Sequence, residues 1–493
     1  MQLTGRFGLN LPIYKDDRPF KGRQWKKITT HPLQMNSAES NDETSKEMAA
    51  IRHANTEFVC QQRIEQSATN LDVFDLFANH VGYNKPFKQP NIFPDDNQLE
   101  VFVLPMTHVD PGWLRTVESY SKDTNKILNN MLHFMPSHSK MRFLWCEMVF
   151  FEKWWSKLNE SSKKKVRKLI GNGQLEIASG SWVMTDEANP YFPVTIDNII
   201  EGQQFTFREL GVKSKTIWSN DPFGYGPSVP YLFSKTGIKR AVINRIHDIL
   251  KKALQARRAI PFKWRQHFDK QGVGDIHTHV LPYSHYDILN SCGPNQSVCC
   301  AFDFKRITHY QCYDTQTEAI TKKNVKKKAQ QLENQLKEMS EMYKSKVLLV
   351  MWGDDFRYDM MEEWHQQYEN LVYLFNYINA MNKIKIRFGT FTEYFDALDK
   401  FNEENKIIPT VISGDFFPYL CAAHDYWTGY YTTRPFYKRQ ERQLHALIRS
   451  ADLLTSYANH RLNREQKTLI ISKLRKARRN LSLFQHHDAI TVH

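Results

Sequence analysis

This chain of 493 residues has no apolar run long enough to cross a membrane. A transmembrane helix needs about 18 consecutive apolar residues, and no stretch approaches that length. The first 27 residues are polar and lack the apolar centre of a signal peptide. Internal repeats and low-complexity tracts are also absent, which argues against a repeat architecture. Taken alone, the lack of a membrane span and of a signal peptide favours a cytosolic protein.

Nucleic-acid-binding motifs are absent too, although the formal net charge is +14. The basic residues cluster at 163–165, 326–328 and 475–479. Each cluster lies in a segment with helical periodicity and interspersed apolar residues, which is typical of a solvated helix face. We therefore expect no nucleic acid partner.

Cysteine is scarce, with seven residues in all, but its distribution is uneven. Four cysteines fall within one loop-like stretch and have no neighbouring histidine at zinc-finger spacing: Cys292, Cys299, Cys300 and Cys312. A loop closed by disulfides is the better interpretation, and it implies an oxidising compartment. Three sequons, at Asn159, Asn295 and Asn480, are compatible with a secretory route. Together these features predict a lumenal protein whose targeting segment is absent from this chain.

Hydrophobic residues make up 41% of the chain, which is enough for a large core. Aromatic residues reach 13%; sugar-binding clefts use such rings, but ordinary cores use them more often. We expect three regions: a polar N-terminal and linker region at 1–95, a β/α catalytic domain at 96–425, and the first helices of a helical domain at 426–493. Within the first region, 36–46 is a predicted linker and 49–79 is predicted to contain a helix.

From Leu99 onward, short apolar runs alternate with longer amphipathic stretches. The runs are 101–105, 142–146, 175–179, 216–219, 240–244, 347–351 and 385–389, and the clearest helical stretches are 161–170, 325–343, 439–457 and 464–484. Alternating strands and helices indicate a parallel sheet. The expected fold class is α/β: a seven-stranded, mainly parallel sheet, open or barrel-like, followed by the start of an α-helical bundle.

Acidic and imidazole residues follow three of these strands. His108 and Asp110 come after 101–105, Asp221 after 216–219, and the pair Asp354 and Asp355 after 347–351. Active sites of α/β folds lie at the carboxyl ends of the strands. The chemistry is therefore predicted to lie at this edge of the sheet.

The first two of these motifs each allow a catalytic and a structural interpretation. His108 and Asp110, two apart on an extended segment, point to the same side and could both bind a catalytic zinc. Asp110 could equally be a helix N-cap. Asp221 precedes a Pro-Phe-Gly turn, and a turn carboxylate is the commoner interpretation of that pattern in isolation.

The last two motifs also allow both a catalytic and a structural interpretation. Asp354 and Asp355 point in different directions, so one could carry a raised pKa and act as an acid; the alternative is an ion pair with Arg357. The histidines of Gln485-His-His-Asp488 could supply a metal ligand or interact with a helix dipole. Together, the four motifs meet the requirements of a retaining glycosidase with a metal site.

In this order and at these intervals, the four motifs resemble those of the class II α-mannosidases, glycoside hydrolase family 38. They read His108-Val-Asp-Pro-Gly-Trp113, Asp221-Pro-Phe-Gly224, Gly353-Asp-Asp-Phe-Arg357 and Gln485-His-His-Asp488. The runs Val298-Cys-Cys, Ser413-Gly-Asp-Phe-Phe417 and Tyr426-Trp-x-Gly-Tyr-Tyr431 are more similar to the Golgi α-mannosidase II type than to the lysosomal type. The resemblance covers about residues 95 to 490.

The resemblance implies a role for each residue. It makes Asp221 the nucleophile and Asp355 the general acid/base, with one Zn²⁺ per chain bound by His108, Asp110, Asp221 and His487. The implied substrate-binding residues are Trp113, Phe223, Arg245, Tyr286, Asp287, Asp354, Arg357, Trp427 and Asp488. The implied substrate is terminal α1,3- or α1,6-linked mannose of N-glycan intermediates on a glycoprotein. The implied location is the Golgi lumen or membrane, with a membrane anchor that this chain lacks.

Two departures from the family pattern accompany the resemblance. Tyr225-Gly226 stands where His-Ser is expected after the nucleophile motif. Family members are also considerably longer, so we expect a truncated chain. Two alternatives to the enzyme therefore stay open: a catalytically weak mannose-binding remnant, and a metal-dependent polysaccharide deacetylase.

Overall fold

The computed structural model describes residues 70–73, 98–307, 311–313 and 315–491. The predicted linker at 36–46 lies outside them, as does the helix expected within 49–79 apart from its residues 70–73. Over the described residues, the predicted α/β class, the mainly parallel strand pairing and the helical region that follows are confirmed.

All seven predicted strands are present, with bounds close to those expected. The strands of the described residues are β1 (Asn70–Asp72), β2 (Leu99–His108), β3 (Phe143–Trp145), β4 (Leu175–Ile177), β5 (Thr216–Ser219), β6 (Arg240–Ile243), β7 (Phe262–Arg265), β8 (Ile276–Val280), β9 (Gln311–Cys312), β10 (Thr315–Gln316), β11 (Val347–Asp355), β12 (Ile384–Phe388) and β13 (Thr410–Ser413). Strands β1, β7 to β10 and β13 were not predicted. Each has five residues or fewer.

The strands form two larger sheets where one of seven strands was expected. The first has the order β1-β13-β7-β8-β6-β5, and the second the order β11-β2-β3-β4, with β12 also paired to β2. Every pair in them is parallel except β7 with β8. Ser179, at φ 54°, connects the sheets: its backbone N–H donates to the Thr216 carbonyl at 2.8 Å, and its hydroxyl accepts from the Trp218 N–H at 2.9 Å.

Helices lie between the strands and after them. In the described residues they are α1 (Val117–Phe134), α2 (Met148–Trp155), α3 (Glu160–Gly171), α4 (Phe192–Phe205), α5 (Ser228–Ser234), α6 (Asp248–Ala256), α7 (Gln296–Cys300), α8 (Val325–Ser340), α9 (Met361–Ala380), α10 (Phe391–Glu404), α11 (Pro435–Ala458) and α12 (Arg464–Leu483). None of them is long and apolar enough to span a membrane.

Two basic residues of α12 attach this helix to the β/α region. Arg478 and Arg479 both pair with the buried carboxylate of Glu201 on α4, at 2.8 and 3.3 Å. Arg479 also lies over the Trp182 ring, 4.3 Å from its centroid. This part of the 475–479 cluster therefore packs against the protein, whereas a solvated face was predicted.

The centre of the second sheet is fully buried. Strand β2 pairs with β11 along nine residues, from Glu100 opposite Val347 to His108 opposite Asp355. Gly353 of β11 lies so close to β2 that an added Cβ would be 1.8 Å from the Met106 carbonyl oxygen. The glycine is therefore required for this strand pairing.

The predicted closure of the 292–312 loop by disulfides is confirmed. Cys292 is bonded to Cys299, and Cys300 to Cys312. Cys146 and Cys421 are free thiols.

Candidate active site

Strand register brings His108 and Asp355 together. They are opposite each other at the carboxyl ends of β2 and β11, and the backbone N–H of Phe356 donates to the His108 carbonyl at 2.8 Å. Asp221 follows the end of β5, two residues after Ser219. Three strand ends therefore direct chemically active side chains to one side of the sheets, as the carboxyl-end rule predicts.

Asp110 lies beside His108, and a tight turn begins at Asp110. The N–H of Gly112 donates to the Asp110 carbonyl at 2.8 Å, and Gly112 adopts φ 98°, which favours glycine. The next helix, α1, is capped by Thr116, whose hydroxyl accepts from the Ser119 N–H. The N-cap alternative for Asp110 is therefore not adopted, and its carboxylate remains with His108.

His487 reaches the same place from the helical region. Its backbone N–H donates to the Met184 carbonyl at 3.3 Å, and its Nδ1 lies 3.1 Å from the same oxygen. The backbone N–H of Asp186 donates to the Gln485 carbonyl at 2.7 Å. These contacts attach the segment after α12 to the loop at 183–186, so His487 does not act as a helix-terminal partner of the dipole.

His108, Asp110, Asp221 and His487 form one buried cluster. One ligand atom from each lies within 4.8 Å of the others. Nε2 of His487 is 2.9 Å from Asp221 Oδ2 and 3.8 Å from Asp110 Oδ1. Nε2 of His108 is 3.0 Å from Asp110 Oδ1 and 3.7 Å from Asp221 Oδ2. Two imidazoles and two carboxylates converging on a point are a donor set that a divalent metal ion can use.

Unsatisfied hydrogen-bonding atoms support a metal site. His108 Nε2 and Asp110 Oδ1 are buried, yet neither makes a hydrogen bond of acceptable geometry among the described residues. Buried polar atoms are normally paired, and a bound ion is one explanation of an exception. The residues therefore fit a metal. A second candidate group shares Asp110 and His487 and adds His486 and Asp488.

Asp221 is held in its ionised form. Burial raises its pKa, but the charge of Arg245, with His487 and His108, outweighs burial and holds the pKa well below its usual range. The Nε–H of Arg245 donates to Asp221 Oδ1 at 2.7 Å, and the guanidinium also donates to the Tyr419 hydroxyl at 3.2 Å. A carboxylate whose pKa is held this low can act as a nucleophile or a metal ligand.

The pKa values of Asp355 and Asp354 are raised, in contrast to that of Asp221. Burial raises the pKa of Asp355, and the negative charges of Asp110 and Asp221 add to this effect. Burial, with the charge of Asp355, raises the pKa of Asp354 to about 6. The Tyr286 hydroxyl donates to Asp355 Oδ1 at 2.7 Å. The raised pKa values favour the protonated forms of these two carboxyl groups.

Aromatic rings surround Arg245 beside Asp221. Phe223 and Trp427 meet edge to face at 5.1 Å, and the Arg245 guanidinium lies 5.0 Å from the Trp427 ring centroid. Trp113 is 37% exposed and, with Asp488, lines a cavity of about 540 Å³. Burial raises the pKa of Asp488 to about 7.

Two predicted substrate-binding residues form hydrogen bonds or ion pairs with other side chains of the protein. Asp287 accepts from the backbone and side-chain amides of Asn290, at 2.8 and 2.7 Å. The guanidinium of Arg357 pairs with the buried carboxylates of Asp303 and Glu363, at 2.6 and 2.5 Å. Among the described residues, Arg357 has no ion pair with Asp354 or Asp355, so the alternative considered for that motif is not adopted either.

Three further residues lie near the cluster. Tyr225 is fully buried and its hydroxyl donates to the Ser219 carbonyl at 2.7 Å, which supports the turn that presents Asp221. Glu147 lies behind His108, with Oε1 4.0 Å from Nδ1. His486 is 3.3 Å from Asp110. His486 belongs to the Gln485-His-His-Asp488 motif, whose histidines were predicted as possible metal ligands. Glu147 was not predicted, because nothing in the local sequence distinguishes it.

Comparison with known proteins agrees with this geometry. Residues 98–422 match the family described as glycosyl hydrolases family 38 N-terminal domain, and residues 425–492 match the alpha mannosidase middle domain. The chain is 41% identical over 413 residues to human alpha-mannosidase 2 and 38% identical over 401 residues to that of Drosophila melanogaster. Each alignment covers 80% of this chain and 36% of the relative. The chain thus spans little more than a third of the length of these relatives.

A solved structure shares the fold. The crystal structure of an alpha-mannosidase from Enterococcus faecalis superimposes with a TM-score of 0.55 at 13% identity, covering 80% of this chain and 39% of that one. At this level of identity the likeness supports the architecture alone.

Proposed function

The chain belongs to glycosyl hydrolase family 38, and we propose that it is a zinc-dependent retaining α-mannosidase acting on terminal α-linked mannose. The observation that carries the proposal is the buried cluster of His108, Asp110, Asp221 and His487 with Asp355 at the adjoining strand end. It combines a metal donor set with one carboxyl group whose pKa is lowered and one whose pKa is raised.

The two carboxyl groups divide the reaction between them. Asp221 attacks the anomeric carbon while the glycosidic C–O bond breaks, and Asp355 gives its proton to the leaving oxygen. In the second step a water oxygen attacks the same carbon, its proton goes to Asp355, and the bond to Asp221 breaks. The lowered pKa of Asp221 and the raised pKa of Asp355 suit these roles.

Nearby residues orient the two groups. Arg245 holds Asp221 Oδ1 and Tyr286 holds Asp355 Oδ1, so each carboxyl is fixed by a hydrogen bond of 2.7 Å. Phe223, Trp427 and Trp113 offer apolar ring surfaces for the sugar. Asp354 and Asp488 supply polar contacts for its hydroxyl groups.

His108, Asp110, Asp221 and His487 would hold the metal ion, and histidine nitrogen with carboxylate oxygen is a ligand set typical of catalytic zinc. When bound, Zn²⁺ supplies positive charge that orients sugar hydroxyls and stabilises charge at the reacting centre. The protein's contribution is to keep these ligands buried and close together.

The proposed substrate and location rest on the family resemblance of the four motifs. Relatives named alpha-mannosidase 2 support an α-linked mannose substrate, and the resemblance of the motifs to the Golgi type favours N-glycans as its carrier and the Golgi as location. The disulfides of the 292–312 loop are consistent with an oxidising lumen.

The test is hydrolysis of a chromogenic α-mannoside by the full chain, with added zinc and with a chelator. We expect zinc-dependent release, loss of release in Asp221→Ala, and loss in Asp355→Asn with zinc still bound. The matched control is Glu333→Gln. Glu333 is a buried carboxylate on α8 that is 1% exposed, and its replacement should leave the activity unchanged.

Other outcomes of this test separate the alternatives. A folded, zinc-loaded chain that releases no sugar would be the mannose-binding remnant and would refute the proposed activity. Zinc-dependent deacetylation that survives Asp355→Asn would instead support the deacetylase, because that chemistry has no need of Asp355.

A further inference from the structure

Glu147 is a buried carboxylate that the proposed mechanism does not use. It follows β3 and is the N-cap residue of α2, but its side chain makes no capping hydrogen bond. It is 1% exposed, and neither of its carboxylate oxygens has a hydrogen-bond partner among the described residues. A buried carboxylate without partners is costly, so its presence calls for an explanation.

The carboxylate faces one nitrogen of a proposed metal ligand. Glu147 Oε1 is 4.0 Å from His108 Nδ1, and that nitrogen also lacks a hydrogen bond in the described part of the chain. The other ring nitrogen, Nε2, faces Asp110 at 3.0 Å and Asp221 at 3.7 Å. One edge of the imidazole therefore faces the metal position, and the opposite edge faces Glu147.

We propose that Glu147 is a positioning residue that keeps the proton of neutral His108 on Nδ1, so that the lone pair of Nε2 is presented to the metal. This inference rests on the proposed metal site. A negative charge beside Nδ1 favours the proton on that nitrogen, and at 4.0 Å it acts through charge and not through a direct hydrogen bond. Partners of this kind commonly fix the tautomer of metal-binding histidines.

The second proposed imidazole ligand has an equivalent arrangement. Nδ1 of His487 is 3.1 Å from the Met184 carbonyl oxygen, an acceptor that requires the proton on Nδ1, while Nε2 faces Asp221 at 2.9 Å. Each histidine therefore has an acceptor behind it: a backbone carbonyl for His487 and a carboxylate for His108. The symmetry supports a common role in setting the tautomer.

The first experiment measures zinc affinity of the full chain by competition with a chelating dye at pH 8.5, because burial raises the pKa of Glu147 to about 7 and its proposed role needs an ionised carboxylate. Removal of such an outer partner typically weakens metal binding about 10- to 100-fold, and we expect this for Glu147→Ala and for the isosteric, uncharged Glu147→Gln. The matched control is Glu333→Gln, which also removes a buried carboxylate with an unpaired oxygen but lies on α8. The control should bind zinc as the unaltered chain does.

The second experiment reads the tautomer directly. In zinc-loaded protein labelled with ¹⁵N-histidine, the signals lost in His108→Gln identify that ring. We expect protonation on Nδ1 in the unaltered chain, and this readout does not depend on whether a Glu147 variant folds. Protonation on Nε2 would overturn the inference.

The outcomes distinguish this inference from the proposed function. An unaltered chain that binds no zinc would refute the metal site and the inference with it. An unaltered chain that binds zinc tightly, with folded Glu147→Gln binding equally tightly, would overturn the role of Glu147 alone.

Discussion

Replacing Arg357 by methionine should destabilise the protein strongly, because it leaves two carboxylates buried without their principal partner. The guanidinium donates to Asp303 Oδ1 and Oδ2 at 2.6 and 3.1 Å and to Glu363 Oε1 at 2.5 Å. Arg357 is 8% exposed at its side chain, and both carboxylates are 1% exposed. The network connects the segment after Cys300 to the start of α9.

The magnitude follows from burial. Removing one member of a buried ion pair typically costs about 3–5 kcal/mol, because the remaining charge is uncompensated. Lys305 and Arg306 stay within 3.4 and 3.0 Å of the two carboxylates, but both are about one-third exposed. We therefore expect the lower part of the range, about 3 kcal/mol, or more than a hundredfold in the unfolding equilibrium.

A second ion-paired arginine provides the control. Arg240 also makes two pairs of 2.7 Å, with Asp396 and Asp399, but these carboxylates are 62% and 47% exposed. Exposed pairs contribute about 0–1 kcal/mol, so Arg240→Met should cost far less than Arg357→Met. The measurement is the urea midpoint of unfolding at pH 7, followed by tryptophan fluorescence. Equal costs for the two variants would refute the reasoning.

The pH dependence supplies a further check on Arg357→Met. Burial raises the pKa of Asp303, but Arg357 and Arg306 outweigh burial and lower it below its usual 3.8. A lowered pKa contributes stability that is present above the usual pKa and is lost as pH falls through the lowered one. The difference between the unaltered chain and the variant should therefore be full at pH 7 and shrink below about pH 4. A difference that grows on acidification would contradict this assignment.

Two other perturbations have defined outcomes. Tyr286→Phe removes the hydrogen bond that favours the ionised form of Asp355, so the pKa of Asp355 should rise. The alkaline limb of the pH profile of kcat/KM should therefore move about one to two pH units upward. A downward shift would contradict the general-acid role of Asp355. Gly353→Ala would place a Cβ 1.8 Å from the Met106 carbonyl oxygen and should cost about 3 kcal/mol or more in thermal unfolding. Gly171→Ala, at a helix end with open space, is its control and should not destabilise; equal stability of the two variants would refute the close approach.

Much of the architecture could be predicted from local pattern. The seven apolar runs could be predicted as strands because parallel, buried strands have near-continuous apolar sequences. The structure confirms all seven. The disulfide-closed loop was recognisable from the spacing of its cysteines. Short strands such as β7 and β13 were missed, because four residues with a buried–exposed alternation do not differ from loop sequence.

Arg357 shows that adjacency in sequence does not determine the partners of a side chain. Its position after Asp354 and Asp355 allowed an ion pair with them, whereas the family resemblance implied a substrate-binding role. Phe356 and Tyr358 both adopt left-handed conformations, at φ 50° and 68°, so the chain reverses direction immediately after β11. The Arg357 side chain is held by Asp303 and Glu363. Positive φ values at non-glycine residues have no reliable sequence signal, so this placement could not be predicted.

By itself, the sequence determined which side chains were available and at which strand ends they would lie. His108, Asp221 and Asp355 follow from hydrophobic periodicity and the carboxyl-end rule, because both are local properties of the chain. Only the tertiary structure decided that His487, from beyond α12, reaches Asp221 at 2.9 Å, and that Glu147 lies behind His108. Such contacts depend on how helices pack against sheets. Packing is set by the whole buried surface and not by any short run of residues.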